Sequence, residues 1–230
     1  MKNDVILIRP PRISSDRAYI SLQTPLNLGY LAAYLIRYGF RAQIWDFEIQ
    51  PFGEEFIQKV KKLKNHFLLF GITAFTPTVN NAHKIAKTLK EEFPDIPIVL
   101  GGPHASVFPE EALREFPYFD IAVIGEGEET LKEVCERIKN NQSLERVKGI
   151  AYRDNNKIIR GQDREVINDL DSIPFPARHF FDNKLYRGHH VSRAFSRRTE
   201  CRRFAGEVST PVAHRTHHEE HAQRQAHQNR

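Results

Sequence analysis

Residues 98–105 read Ile98-Val99-Leu100-Gly101-Gly102-Pro103-His104-Ala105. Apolar residues stop at two glycines and a proline, which is typical of a strand that is covered on both faces and ends in a loop. Glycines lack a β-carbon, so they permit a sharp turn and let a large ligand lie directly against the main chain. Ligands of parallel sheets bind at the carboxyl ends of the strands. The stretch predicts a buried strand whose glycines either contact a ligand or only shape a tight turn.

The same pattern recurs along the chain. Strands are predicted at residues 5–8, 42–46, 67–72, 98–100 and 120–124, and helices at 25–38, 54–63, 80–93, 109–116 and from the stretch 125–130 to about 140. Because each strand returns through a helix, and such crossovers are right-handed, the strands must run parallel. We therefore predict an α/β fold with a doubly wound, flavodoxin-like or Rossmann-like, five-stranded parallel sheet over residues 1–145.

The residues that follow this domain carry two different signals. Residues 147–153 and 157–160 alternate apolar and polar side chains around Asp154-Asn155-Asn156, which predicts a β-hairpin. Residues 169–178 contain Pro174 and Pro176, which favour extended backbone and exclude a helix, so this segment is predicted to be a stiff connector. Residues 146–190 are thus expected to form a hairpin and a connector that leads to another domain.

The composition changes abruptly after Leu185, since no Lys, Ile or Leu occurs beyond it. Residues 191–230 lack an apolar period and are predicted to be a disordered basic tail. The break favours a shift of reading frame over a natural basic tail or a cloning scar. Four tail histidines have spacings that favour adventitious metal binding over a built site; they are His214, His217, His218 and His221.

Charge and cysteine content exclude several function classes. The net charge is +5, and residues 191–230 hold eight arginines and four glutamates. The rest of the chain therefore carries only +1, which does not indicate a nucleic-acid-binding surface. No apolar run approaches the ~20 residues of a membrane span, and no signal sequence is evident, so we expect a cytoplasmic protein. Cys135 and Cys201 are the only cysteines, too few for a disulfide framework or a four-thiolate metal site.

The ends of the predicted strands exclude other doubly wound families. A phosphoryl-receiver domain needs acidic residues after strand one, Asp after strand three and Lys after strand five, where this chain has Arg9, Thr73 and Gly125. A flavin phosphate loop is excluded because prolines follow Arg9 and offer no amide hydrogens. The dinucleotide motif Gly-x-Gly-x-x-Gly is absent after the first strand.

Five motifs together resemble the amino-terminal part of the cobalamin-dependent radical S-adenosylmethionine enzymes over about residues 5–190. They are the stretches Asn27-Leu28-Gly29-Tyr30-Leu31-Ala32-Ala33-Tyr34-Leu35, Gly71-Ile72-Thr73-Ala74-Phe75-Thr76, Leu100-Gly101-Gly102-Pro103-His104-Ala105, Gly125-Glu126-Gly127-Glu128-Glu129-Thr130 and Ile173-Pro174-Phe175-Pro176. The resemblance implies a cobalamin-binding domain. In that family a following barrel carries Cys-x-x-x-Cys-x-x-Cys, a four-iron four-sulfur cluster and S-adenosylmethionine, and this chain lacks the cysteine triplet.

The chain therefore resembles a corrinoid-binding module without its catalytic half. The full-length protein is expected to be a transferase that moves methyl groups, or to perform a related radical reaction, while this chain alone is expected to be inactive. Two alternatives stay open at this stage: a non-catalytic corrinoid carrier or sensor, and a nucleotide-binding domain. The sequence gives neither the substrate nor the oligomeric state.

The resemblance implies a set of cofactor-binding residues at three strand ends, and no catalytic residue or metal ligand is predicted. The set is Thr73, Ala74, Phe75, Thr76, Gly101, Gly102, Pro103, His104, Gly125, Glu126 and Gly127. The string Asp-x-His-x-x-Gly, which supplies a cobalt-ligating histidine in corrinoid methyltransferases of the methionine-synthase type, is absent, so His104 is expected to be a loop histidine rather than a ligand. Glu126, Glu128 and Glu129 are expected at a helix start, as caps or as ligand contacts.

Overall fold

The computed structural model describes residues 4–12, 22–62, 67–155 and 157–186. The chain divides into the units Met1–His189 and His190–Arg230, and the described residues belong to the first. Its helices and strands, in chain order, are β1 (Asp4–Arg9), α1 (Leu26–Arg37), β2 (Arg41–Asp46), α2 (Glu54–Lys62), β3 (Phe67–Thr73), α3 (Val79–Glu92), β4 (Ile98–Gly101), α4 (Pro103–Val107), α5 (Pro109–Glu115), β5 (Ile121–Val123), α6 (Glu128–Lys139), β6 (Ile150–Asp154) and β7 (Lys157–Arg160).

The strands form one sheet in the order β2-β1-β3-β4-β5-β6-β7. Strands β1 to β5 pair in parallel, so the predicted doubly wound, five-stranded parallel sheet is confirmed. The predicted hairpin also forms, and it extends the same sheet because β6 pairs antiparallel with β5. The sheet within the described part of the chain therefore has seven strands.

Alternation along the strands places an apolar layer on each face of the sheet. Ile6, Phe70 and Ile98 lie side by side on one face and belong to a core cluster to which α2, α3 and α5 contribute. Leu7 and Val99 lie on the other face, in the core cluster that includes residues of α1 and α6. The second face matters for function, because part of it is not filled by side chains.

Two local expectations were wrong. Residues 103–105 were expected in a loop, but Pro103 begins α4, which suits a proline because the first helical N–H needs no intrahelical partner. The connector was expected to exclude helix, yet 3₁₀ turns form at Leu170–Ser172 and Arg178–Phe180. These turns lie outside the residues that the two prolines restrict, and Asp169 stabilises the first by accepting a hydrogen bond from the Asp171 amide.

The connector packs against α1. The Ala177 amide donates a 2.9 Å hydrogen bond to the carbonyl of Gly29. A β-carbon at position 29 would lie 3.1 Å from both Pro176 and Phe181, so the contact depends on glycine in the helix. The hydroxyl of Tyr186 then donates to Asp46, which is also paired with Arg9. The connector is thereby joined to α1 and to the carboxyl ends of β1 and β2.

Some expectations concern residues outside the described ranges. The tail of residues 191–230, with its four histidines and Cys201, is among them. Among the described residues, no helix combines the length and apolar character needed to cross a membrane. The domain boundary at residues 145 and 146 stays a prediction.

Candidate functional site

A cavity of about 270 Å³ lies between the sheet and helices α1 and α6, at the carboxyl ends of β3, β4 and β5. This is the edge of the sheet at which the sequence predicts a ligand. Its lining is Leu7, Asn27, Leu28, Leu31, Gly71, Ile72, Thr73, Val99, Gly101, Gly102, Val123, Gly125, Glu126, Gly127, Glu128 and Leu131. The walls are mostly aliphatic, and a few polar groups lie at the open edge, as is common in ligand sites.

Gly71 lies in the floor of the cavity beside Leu7. Leu7, Gly71 and Val99 are register partners on neighbouring strands, so they form one row across the sheet. A β-carbon at Gly71 would lie 2.9 Å from Cδ2 of Leu7. Glycine at position 71 therefore leaves room for the side chain of Leu7 in the floor of the cavity.

The two glycines after β4 have different roles. A β-carbon at Gly101 would have no atom within 4 Å, so open space lies above this residue. Gly102 has φ of +87°, and a β-carbon there would lie 2.6 Å from Oγ1 of Thr73 and 2.9 Å from the carbonyl oxygen of Ala74. Gly101 thus leaves room for a ligand, whereas Gly102 is required by the backbone turn and by the close approach of β3.

Thr73 and Asn27 form the polar part of the wall near β3. Thr73 is the last residue of β3, and its Oγ1 accepts a 3.4 Å hydrogen bond from the Asn27 amide on α1. Because the Thr73 oxygen is the acceptor, its hydroxyl proton is available to a ligand. Asn27 was recognised as part of a family motif but was not included among the predicted site residues.

The glutamates after β5 differ in their surroundings. Helix α6 begins at Glu128 without a side-chain cap, so the expected capping role is not observed, although Glu128 and Glu129 lie in the first turn, where the helix dipole favours negative charge. Glu126 accepts a 2.7 Å hydrogen bond from the amide of Ile167 in the segment after β7. Glu129 pairs with Arg164 at 3.5 Å. Burial raises the pKa of the Glu128 carboxyl, and the neighbouring Glu126 adds to the effect.

Ser106 joins two of the loops that border the cavity, and no sequence pattern pointed to this residue. Its hydroxyl donates to the carbonyl of Gly102 at 3.1 Å and accepts from the Gly125 amide at 3.0 Å. The loop after β4 is thereby fixed to the loop after β5. Helix α4 positions this serine one turn beyond the glycine pair, which a sequence pattern without a predicted helix could not reveal.

His104 lies outside the cavity lining. Its side chain is buried, with Nδ1 3.1 Å from Oγ1 of Thr76 and the ring near Phe108 and Phe116. Burial lowers the pKa of its imidazole, and Nε2 has no hydrogen-bond partner within the described ranges. His104 belongs to α4 and not to a loop, and the expectation that it is not a cobalt ligand stays a prediction. The described residues contain no cluster of three or more His, Cys, Asp or Glu side chains arranged for a metal ion.

The structure brings together six of the eleven predicted site residues around the cavity: Thr73, Gly101, Gly102, Gly125, Glu126 and Gly127. Ala74 is buried and links two loops through its main chain, since its amide donates to Gly101 and its carbonyl accepts from His104. Phe75 is 56% exposed at the end of β3, and Thr76 and Pro103 lie outside the lining. Their assignments as cofactor contacts stay predictions.

The residues that the prediction omitted come from α1, α6 and the strand interiors. Leu28 and Leu31 from α1 and Leu131 from α6 form the wall opposite the sheet, and Leu7 and Gly71 form the floor. Their apolar spacing predicted amphipathic helices and buried strands, which is also the pattern of ordinary core residues. Nothing in the pattern distinguishes a leucine that borders a cavity from one that fills a core.

Comparison with known proteins gives consistent matches. The B12 binding domain family matches residues 21–135. An uncharacterized methyltransferase of Pyrococcus horikoshii is 32% identical over 174 residues, which are 75% of this chain and 38% of the relative. The anaerobic magnesium-protoporphyrin IX monomethyl ester cyclase of Rubrivivax gelatinosus is 30% identical over 175 residues, or 74% of this chain and 31% of the relative. The chain thus spans less than two fifths of the length of these relatives.

A solved structure shows the same fold. The radical S-adenosylmethionine methyltransferase TsrM from Kitasatospora setae, with cobalamin and a [4Fe-4S] cluster bound, superposes with a TM-score of 0.60 at 19% identity. The match covers 76% of this chain and 31% of TsrM. At this identity the likeness establishes the fold of the domain.

Proposed function

The chain belongs to the B12-binding domain family, and we propose that it binds cobalamin with the nucleotide arm inserted into the cavity between the sheet and helices α1 and α6. The observation that carries this proposal is the cavity at the carboxyl ends of β3, β4 and β5, with open space above Gly101. A cavity of about 150 Å³ holds a benzene ring, so one of about 270 Å³ has room for the larger bicyclic base of the cofactor.

The chemistry of the lining fits such an arm. Leu7, Leu28 and Val99 offer apolar surface to the faces of a planar ring. The Thr73 hydroxyl, with its proton free, is placed to donate to a ring nitrogen. The glycines at 101, 125 and 127 allow the rest of the arm to pass close to the main chain. These residues bind and orient the cofactor, and none of them needs to react with it.

We further propose that this domain is the amino-terminal part of a cobalamin-dependent radical S-adenosylmethionine methyltransferase. When bound, cobalamin would supply a cobalt centre that can carry a methyl group, and Thr73 with the glycines at 101, 125 and 127 would bind and orient the cofactor. The similarity to the Pyrococcus horikoshii methyltransferase supports this assignment. We assign S-adenosylmethionine and the iron-sulfur cluster to a part of such a methyltransferase outside the domain described here.

The binding proposal is tested by mixing the full chain with hydroxocobalamin and passing it through a desalting column. The corrinoid absorbance should elute with the protein at close to one equivalent. Gly101→Leu places a side chain in the open space of the cavity and should release the corrinoid, while Gly53→Leu, at a glycine outside the cavity where a β-carbon also has no neighbour within 4 Å, should retain it. Elution of protein without corrinoid from the unmodified chain would refute the proposal.

A further inference from the structure

The loop after β5 borders two cavities. Gly125 and Glu126 belong to the lining of the cavity in which we propose that cobalamin binds. They also line a second cavity of about 220 Å³, whose other wall is formed by residues 160 and 163–167. We call residues 161–167, which directly follow β7, the strap. Because unfilled space lies between the loop and the strap, the position of the loop depends on the individual contacts that cross this space.

The strap is fixed to the sheet at its first two residues. The Gly161 amide donates a 2.8 Å hydrogen bond to the carbonyl of Ile150. The Gln162 carbonyl accepts a 2.7 Å hydrogen bond from the Gly149 amide. These backbone bonds continue the antiparallel pairing of β6 with β7. The strap therefore starts from a fixed position and can hold the segments that it contacts.

Two polar side chains join the strap to the loop and to α6. The Ile167 amide donates a 2.7 Å hydrogen bond to the carboxylate of Glu126. Arg164, whose side chain is 18% exposed, pairs with Glu129 at 3.5 Å and also pairs with Glu133, one turn later on α6. One guanidinium group thus bonds two carboxylates. The strap thereby fixes both the loop after β5 and the first two turns of α6.

The segments that the strap holds form one wall of the proposed cobalamin cavity. Gly127 of the loop and Leu131 in the first turn of α6 both border this cavity. The loop has a second attachment, because the Gly125 amide donates a 3.0 Å hydrogen bond to the hydroxyl of Ser106. Loss of the strap contacts would remove one of these two attachments and let the wall move away from the sheet.

We propose that Arg164 and Glu126 are positioning residues, which slow the release of cobalamin by holding the loop after β5 and the start of α6 in place. This inference rests on the proposed function, because it requires the cofactor to occupy the cavity. It also gives Glu126 a role other than the cofactor contact that the family resemblance implies, since its carboxylate bonds the strap. Neither side chain needs to touch the cofactor for this effect.

The ion pairs of Arg164 make the release rate sensitive to salt. The side chains of Glu129 and Glu133 are 46% and 27% exposed, so dissolved ions screen their attraction to Arg164. A wall that was held by apolar packing alone would not loosen in this way. Cyanocobalamin has no net charge, so salt has little direct effect on this ligand. Its release should therefore become faster as the ionic strength rises.

The experiment follows the release of radiolabelled cyanocobalamin from the full chain into an excess of unlabelled cyanocobalamin. Release from the unmodified chain should accelerate between about 50 mM and about 500 mM salt. Arg164→Met should release the label about tenfold faster at the lower salt concentration, and added salt should have little further effect, because the ion pairs are already absent. Arg164→Lys keeps the charge and should restore part of the salt dependence. The control Arg160→Met should behave like the unmodified chain, since Arg160 lines the second cavity but pairs with Asp163.

The contact of Glu126 is tested separately, in variants that leave the ion pairs of Arg164 intact. Glu126→Ala removes the acceptor of the Ile167 amide and should also speed release. Glu126→Gln should release the label at about the rate of the unmodified chain, because its amide oxygen accepts the same hydrogen bond. Thermal melting of the ligand-free chains shows whether each variant is folded.

The outcomes separate this inference from the function on which it rests. Release from Arg164→Met at the rate of the unmodified chain, or an unchanged response of this variant to salt, would overturn the role of Arg164 and leave cobalamin binding intact. If Arg164→Met does not fold, the two Glu126 variants decide, and release at one common rate from both would overturn the role of the strap. Failure of the unmodified chain to retain the label would overturn the proposed function and this inference together.

Discussion

Gly102 lies so close to Thr73 that a β-carbon at position 102 would be 2.6 Å from the Thr73 hydroxyl oxygen. The loop after β4 therefore lies directly against the last residue of β3 at the edge of the cavity. Gly101, one residue earlier, has no such neighbour. The glycine pair therefore combines one residue that the fold requires with one whose small size leaves room for the ligand.

Gly102→Ala should destabilise the protein. The left-handed φ of +87° and the contacts with Thr73 and Ala74 both oppose a side chain, at a cost of about 1–3 kcal/mol in the free energy of unfolding. Urea unfolding followed by circular dichroism measures the change. The same substitution at Gly101 is the control and should change stability by less than about 0.5 kcal/mol. Equal losses in both variants would contradict the distinction.

Gly101→Leu should leave the fold intact and weaken cobalamin binding. The β-carbon enters open space, so the longer side chain extends into the cavity that the ligand needs. We expect binding at least about tenfold weaker, measured by retention of corrinoid absorbance, with an unchanged melting temperature. Retention equal to that of the unmodified chain would show that the ligand lies elsewhere.

Tyr186→Phe should cost about 1 kcal/mol of stability. The Tyr186 hydroxyl donates a 2.8 Å hydrogen bond to Asp46, a carboxylate that is also paired with Arg9. Phenylalanine cannot donate this hydrogen bond, so the variant loses its contribution to stability. Tyr118→Phe is a matched control, since Tyr118 stacks on His83 and does not contact Asp46. For the same reason, a chain ending at Tyr186 should be more stable than one ending at Asp182. Identical unfolding midpoints for the two shortened chains would refute the role of Tyr186.

Acid should destabilise the fold through buried His104 and half-buried His83. Burial lowers the pKa of both His83 and His104 below the ordinary value of 6.5; Lys87 adds to the effect at His83, and Glu115 opposes it at both. The unfolded chain therefore takes up protons first, so stability is lost as the pH falls below about 6.5. His104→Gln should reduce the difference between urea midpoints at about pH 7.5 and about pH 5.5. The control variant His179→Gln, at an exposed position, should leave the difference between the two urea midpoints unaltered.

The isolated chain should not cleave S-adenosylmethionine. Cys135 is fully buried on α6, burial raises the pKa of its thiol, and Cys201 is the only other cysteine. A cluster that activates S-adenosylmethionine needs three thiolates, so anaerobic incubation with iron and sulfide should give no 5′-deoxyadenosine. Detection of stoichiometric cluster and of that product would overturn the assignment of catalysis to a further domain.

Local sequence patterns determined the order of strands and helices, the parallel sheet and the edge at which the ligand site lies. Each of these depends on the period of apolar residues and on glycines at strand ends, which are properties of short segments. The run that ends at Gly101 and Gly102 therefore predicted a buried strand, and it left open whether the glycines contact a ligand or only shape a tight turn. The start of α4 at Pro103 was missed, because a five-residue helix has too few turns to show a period.

Only the tertiary structure decided which of these residues surround the cavity. Leu28 from α1, Gly71 from β3 and Glu128 from α6 meet there although they are far apart in the chain, and each has the local pattern of an ordinary core or surface residue. Whether a glycine leaves space, as Gly101 does, or prevents a clash, as Gly102 does, depends on what the neighbouring strand places above it. Packing between distant segments sets the distance from a glycine to its nearest neighbour. The sequence of either segment alone does not contain that distance.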